Sequence, residues 1–399
     1  MKIDTICNEL LVALTEAGYN EHTIFNYKGV IRRFKTFCIE KGVAIYTPEL
    51  GKMYAEDVIS KKTGDFSKNR YHTQGRFTRL LNSYFNTGVF DFTMLKTGKV
   101  QPDNGNHKKV YHEYGNHLLS SYENENTVHF YEYELYCFFQ YLNKIEVYDV
   151  EIINTSIVLG YIKSVKQCRQ RAVLCGLKRY FIYSNRSDLY TAIEGIHAYR
   201  HKRIIPTLTE DEQNCIKEVI DSGDISYRDA AIVLLGLSTG IRACDLINLR
   251  LSDIDWINET ISFKQSKTGN TVCLPLITAV GNAIANYLSK ERPKTSNNFL
   301  FLRQLAPFDR LADHASCYAI VERVFKRAGI SKQDRIFGMH MLRHNVASIM
   351  VKNEVPISTI AAILGHANRD TTDIYITTDE SKLKECVLPM LNISTEVNQ

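Results

Sequence analysis

Five positions in the first half of the chain recur at a fixed interval. Thr23, Tyr27, Ile31, Phe34 and Phe37 are answered by Thr127, Tyr131, Leu135, Phe138 and Tyr141, each pair 104 positions apart. The spacing of three or four within each set follows one side of an α-helix and does not alternate as a strand does. Each segment therefore has a stripe to bury against other helices. Further on, Phe77, Leu81, Tyr84 and Phe85 in "RFTRLLNSYF" are echoed by Val173, Leu177, Tyr180 and Phe181 in "AVLCGLKRYF". Any two amphipathic helices can be aligned by their stripes, but aromatic matches at both ends of a module favour duplication. The sequence thus predicts two related helical modules in tandem, residues 1–95 and 115–200. A linker over 96–114 joins them, with the Gly-, Asn-, Asp- and Lys-rich stretch "TGKVQPDNGNHKK" at its heart.

A third segment follows a short connection at 201–207, where Pro206 interrupts the chain. Thr209 and Glu212 have the spacing of a capping box, which opens a helix. "YRDAAIVLLGLSTG" reads as an apolar helix stopped by Gly240, and "IRACDLINLR" as a second one. "TISFKQSKTGNTVCLPL" (260–276) then switches to β-branched alternation around a Thr-Gly-Asn turn, the pattern of a β-hairpin. Helices resume beyond it, so residues 208–399 are predicted to form a domain with a C-terminal tail. The fold class expected is mainly α with a small antiparallel sheet. A length of 399 residues agrees with two or three domains.

Composition excludes several classes. Hydrophobic content of 44% and charged content of 23% are those of a globular protein. No apolar run approaches the ~20 residues that a bilayer span needs. The first twenty residues mix acids into an amphipathic pattern, unlike a signal peptide. Ten cysteines are scattered without a C-x-x-C pair, which argues against a zinc site or a disulfide framework and for reduced thiols in a cytoplasm. The net charge of +5 is only a mild excess. Its distribution says more: "VIRRFK" (30–35), "KSVKQCRQR" (163–171), "HAYRHKR" (197–203) and "RVFKRAG" (323–329) are basic runs. One such run is usually a solvated helix face, and four together point to a polyanionic partner.

The third segment holds the residues with chemistry. Arg242 opens a helix with Asp245 one turn along the same face, which alone reads as a surface ion pair. Lys267 sits at the hairpin tip. In "GMHMLRHNVAS", His340 and Arg343 project from one side of a helix with His344 beside them, a set that repels itself if charged. His366 follows "ILG", and Tyr375 comes nine residues later in "LGHANRDTTDIYITTD". Each signal is weak alone; their order and spacing are not. They resemble the tyrosine recombinases of the phage integrase family, which carry an arginine in a "TG-[LI]-R-x-x-E-L" helix, a hairpin lysine, H-x-x-R, "LGH" and a tyrosine nine residues on. The matching positions are Arg242, Lys267, His340, Arg343, His366 and Tyr375, over residues ~207–380. Two departures stand out: Asp245 replaces the commoner glutamate, which would loosen support of Arg242, and Ile-Thr follows Tyr375 where Thr-His is frequent.

The resemblance implies site-specific DNA recombination, integration or excision, through a 3′-phosphotyrosyl intermediate. It implies tandem helical DNA-binding modules ahead of a recombinase catalytic domain, with 115–200 as the core-binding domain and 1–95 as an arm or accessory DNA-binding module. Expected partners are double-stranded DNA with inverted core repeats and further copies of the chain in a synaptic tetramer, with room for an accessory DNA-bending or directionality protein. Neither a metal nor another cofactor is implied, since no Asp/Glu cluster suited to two Mg²⁺ ions lies near these residues. A bacterial or mobile-element origin follows from the same resemblance. Lys166, Arg169, Arg171, Arg200, Lys202 and Arg203 are the candidate phosphate contacts. The C-terminal stripe of Leu383, Val387, Leu388 and Leu391 is expected to pack on a neighbouring subunit or within its own chain. Rival readings are a catalytically silent integrase-like DNA-binding protein and a type IB topoisomerase. A helix-turn-helix regulator is a third, but it leaves Arg242, Lys267 and His340 unexplained.

Overall fold

The computed structural model describes residues 1–93, 100–198, 207–332, 335 and 337–365. Its residues group into two compact units, 95–203 and 1–94 together with 204–399.

The first four helices are α1 (Ile3–Glu16), α2 (Glu21–Glu40), α3 (Pro48–Glu56) and α4 (Lys68–Thr87). Side chains of Asn20, Thr47 and Ser67 accept backbone N–H bonds at the starts of α2, α3 and α4. The stripe of α2 buries Tyr27, Val30, Ile31 and Phe34. Phe34 lies at the centre, with the Tyr54 and Phe77 rings 5.0 and 5.3 Å away at steep angles. The turn after α1 lies against the loop carrying Phe308, where a Cβ on Gly18 would come within 2.7 Å of that ring.

The other unit contains α5 (Gly105–Ser121), α6 (Glu125–Lys144), α7 (Thr155–Ser164), α8 (Gln167–Tyr183) and α9 (Ser187–Glu194). Helix α6 has the same 20-residue length as α2. Asn124 caps it, standing 104 positions after Asn20. Phe138 takes the place of Phe34, fully buried, with Tyr161 5.1 Å away. The later echo is incomplete, since Phe181 is buried whereas Phe85 is 42% exposed.

The structure corrects the expected linker. Helix α5 runs through residues 105–114, and His107, Tyr111 and Tyr114 are buried in the core. The Asp-Asn-Gly cluster that reads as loop is a helix start: the Asn104 side chain accepts from the N–H groups of Asn106 and His107 at 2.9 and 3.2 Å. Loops and N-caps draw on the same residue types, so composition alone does not separate them.

After 207 come α10 (Glu210–Asp221), α11 (Tyr227–Thr239) and α12 (Ala243–Asn248). The Thr209–Glu212 capping box is present in both directions. Helix α11 is apolar on almost every side and forms the centre of the core, touching three later helices: α13 (Thr278–Lys290), α14 (His314–Arg327) and α15 (Met339–Lys352). Between α12 and α13 lies an antiparallel sheet in the order β1 (Ile254–Asp255), β2 (Thr260–Lys264), β3 (Thr271–Pro275). Lys264 pairs with Thr271, which closes the hairpin. Ile261 and Phe263 face the core from β2, as Val272 and Leu274 do from β3. Helix α16 (Ile357–Leu364) follows α15 and packs on it. No helix among the described residues is long and apolar enough to cross a membrane. The stripe from Leu383 to Leu391 lies outside the described residues.

Candidate active site

Arg242 is the residue just before α12, two positions after Gly240, which ends α11 with φ +61°. Its Nη1 donates to Gln265 Oε1 at 3.0 Å and its Nη2 to the Gly365 carbonyl at 2.9 Å. Asp245 pairs with Arg242 as the sequence suggests, but the pair is buried and loose, not a surface one. It is 2% exposed, and its Oδ2 stands 3.9 Å from Arg242 Nη1, beyond hydrogen-bonding reach. Oδ1 accepts from the Ser266 backbone N–H at 2.7 Å, whereas Oδ2 finds no donor among the described residues. Asp245 therefore holds the base of the hairpin turn more closely than it holds the arginine.

Arg343 lies on α15 and is 5% exposed. Its Nη1 donates to the Gly240 carbonyl at 2.9 Å and its Nη2 to the Leu364 carbonyl at 2.5 Å. The two arginines thus reach consecutive carbonyls at the end of α16. Gln265 closes the ring, because its Nε2 donates to the same Leu364 carbonyl at 3.3 Å while its Oε1 also accepts from Thr268 Oγ1 at 2.8 Å. Gly365 makes this packing feasible. Its φ is +64°, and a Cβ there would sit 1.9 Å from Gln265 Oε1.

His340, one turn before Arg343, keeps an exposed face. Its Nε2 is 2.8 Å from that of His344, with the rings perpendicular. A hydrogen bond between two such nitrogens requires one to carry the proton and the other to be bare. Desolvation of the His340 ring, then the positive charges of Arg343 and Lys267, hold its pKa below its ordinary value. Neutral imidazole is therefore its resting form at neutral pH. Lys267 is exposed on the β2–β3 turn, near enough to His340 for its charge to be felt there.

The structure thus brings together Arg242, Arg343, His340 and Lys267. His366 and Tyr375 lie outside the described residues, as do Arg200, Lys202 and Arg203. Of the other candidate phosphate contacts, Lys166 and Arg171 are exposed at the start of α8. Arg169 is engaged internally: Nη2 donates to the buried Glu134 at 2.5 Å, and the guanidinium lies over the Tyr133 ring. The sequence reading missed Gln265 altogether. The signal was available in the strand alternation, since Ile261, Phe263 and residue 265 all point inward and only the last is polar.

Comparison with known proteins places this geometry. Residues 206–382 match the phage integrase family. The putative integrase/recombinase y4gC of Sinorhizobium fredii is 33% identical over 189 residues, an alignment covering 47% of this chain and 96% of that protein. The chain belongs to the phage integrase family. A second relative, the putative integrase/recombinase y4rF of the same organism, is 31% identical over 206 residues, 51% of this chain. The chain spans about half of that relative's length, 48%. Among solved structures, the XerH site-specific recombinase bound to a palindromic difH substrate superposes with a TM-score of 0.56 at 19% identity, covering 85% of this chain and 92% of that one. This similarity is one of fold.

Proposed function

We propose that this integrase-family chain is a tyrosine recombinase that cuts and rejoins duplex DNA. The observation that carries the reading is the convergence of Arg242 and Arg343 on the adjacent carbonyls of Leu364 and Gly365, with His340 and Lys267 beside them. Attack on a phosphodiester piles negative charge onto its non-bridging oxygens, and two neighbouring guanidiniums match that charge with forked N–H donors. Each preorganised donor of this kind is worth ~3–4 kcal/mol in a transition state. His366, directly after Gly365 in the chain, supplies a further N–H to the same oxygens.

In the proposed step the Tyr375 oxygen forms a bond to phosphorus while the bond from phosphorus to the 5′-oxygen breaks. Neutral His340 takes the phenol proton, and Lys267 delivers one to the departing oxygen. The products are a 3′-phosphotyrosyl protein and a free 5′-hydroxyl, and reversal of the step on a partner strand completes the exchange without an external energy source. Lys166 and Arg171 contribute phosphate contacts from α8, and the helical modules hold the duplex. Inverted repeats and a tetrameric synapse are the substrate and assembly that suit paired, reversible cuts. Similarity to relatives named integrase/recombinase and to a DNA-bound recombinase supports the same assignment.

The test is a library of nicked duplexes with a randomised core, in which loss of a short 5′-fragment traps any covalent complex. The expected outcome is SDS-resistant protein–DNA adducts that enrich an inverted repeat and vanish with Tyr375→Phe. Absence of adducts from the unmodified chain, or their persistence in Y375F, refutes the reading.

A further inference from the structure

Asp245 stops short of Arg242, and something else holds the arginine in place. We propose that Gln265 is a positioning residue that fixes Arg242 and sets the Lys267 turn in register with the end of α16. The inference rests on the phosphoryl-transfer reading above and adds a residue outside the six-residue set.

The geometry is specific. Gln265 is 3% exposed and directly follows Lys264, the last residue of β2, where the turn begins. A buried primary amide is costly unless its oxygen and nitrogen both find partners. Here each does, and on three different elements: Arg242 before α12, Thr268 in the turn, and the Leu364 carbonyl on α16. Its own backbone defines the turn as well, with its N–H donating to the Asn270 carbonyl at 2.8 Å and its carbonyl accepting from Gly269 N–H at 2.9 Å. One residue thus links the turn that carries Lys267, one of the two guanidiniums, and the carbonyl that also receives the other.

The shortfall at Asp245 shows why the link matters. At 3.9 Å, its carboxylate attracts Arg242 without directing it, because a charge interaction at that distance has little angular preference. Only directed acceptors fix which way the planar guanidinium faces, and among the described residues Arg242 has two of them, Gln265 Oε1 and the Gly365 carbonyl. Removal of Gln265 leaves one, about which the group can swing. The DNA would still be bound through many phosphates, but the transition-state charge would meet a misaligned fork.

The experiment uses the full chain and the duplex selected by adduct trapping, with single-turnover cleavage, duplex affinity and melting temperature read on each variant. Gln265→Met, nearly equal in size and lacking both polar atoms, is expected to lower cleavage at least tenfold while affinity stays within twofold. Gln265→Glu keeps the oxygen acceptor for Arg242 and recovers at least half of that loss on a logarithmic scale. In an Arg242→Lys background, Q265M is expected to have less than a threefold further effect, because its target is already gone. The proposal is overturned if Q265M cleaves within threefold of the unmodified chain, if affinity and rate fall together, or if its penalty is undiminished in R242K. Failure of the unmodified chain to form adducts would instead sink the recombinase reading itself.

Discussion

Replacing Gly365 by alanine tests the packing on which the candidate site depends. Two penalties can be read from the structure. The backbone at 365 has φ +64°, and an L-residue held in that region costs about 1–2 kcal/mol. The new methyl carbon would also lie 1.9 Å from Gln265 Oε1, 2.2 Å from Nε2 and 2.3 Å from Cδ. Contacts that close displace the amide, and with it go the bond from Arg242 and the bond to the Leu364 carbonyl. A hydrogen bond to a charged donor contributes about 1.5–3 kcal/mol, so the total loss should be about 2.5–5 kcal/mol. At roughly 2–4 °C per kcal/mol, the melting temperature should fall by about 5–20 °C. Trp256 is the single tryptophan, set between β1 and β2, so its fluorescence follows this part of the chain and not the helical modules. The double variant Gly365→Ala with Gln265→Ala removes the collision and should lose less than the sum of the two single changes by at least about 1 kcal/mol. A G365A protein that melts within 2 °C of the unmodified chain, or strictly additive losses, would refute the reasoning.

Two further outcomes follow from charge. Because desolvation, Arg343 and Lys267 lower the His340 pKa, the imidazole takes up a proton only below its ordinary value. The cleavage rate should therefore reach half of its plateau only at a pH below ~6.5, the ordinary histidine value. Single-turnover rates on both sides of that value check this, and a wild-type rate already halved at pH ~6.5 contradicts it. The same shift makes folding favour the neutral ring, a contribution present above the unfolded pKa and lost as pH drops through the folded one. Arg169 and Arg171 should separate cleanly despite lying in one basic run. Arg169→Ala leaves the buried Glu134 carboxylate without its partner and should destabilise by about 1–2 kcal/mol, discounted for the exposure of the arginine, with the salt dependence of DNA binding unchanged. Arg171→Ala should leave stability alone and reduce the slope of log affinity against log salt by about 0.9; denaturation and salt titrations on both variants distinguish the two roles.

What the sequence reveals here depends on how far a signal must travel. Helix α2 and its counterpart α6 are legible because a stripe and a cap are local: Asn20 and Asn124 each sit within a few residues of the N–H groups they satisfy. Residues 105–114 are misread for the same local reason, since Asn104 serves equally as turn former and helix cap until the buried His107, Tyr111 and Tyr114 decide the matter. The status of Arg169 turns on Glu134, 35 positions away, and nothing in "KSVKQCRQR" marks that one of its cations is already neutralised. The site is a sharper case. Arg242, Lys267, His340 and Arg343 can be picked out by side-chain type and spacing, but apart from Gln265 what holds the arginines is main chain. Arg242 bonds the carbonyl of Gly365, 123 positions on, and Arg343 bonds that of Gly240, 103 positions back. A carbonyl is the same group at every residue, so no letter in the sequence identifies it as an acceptor. The trace left is indirect: two of the three carbonyl acceptors belong to glycines with positive φ, at the ends of α11 and α16, and the third, Leu364, precedes one of them. The glycines that the motif displays as punctuation are thus, physically, the anchors of its two guanidiniums.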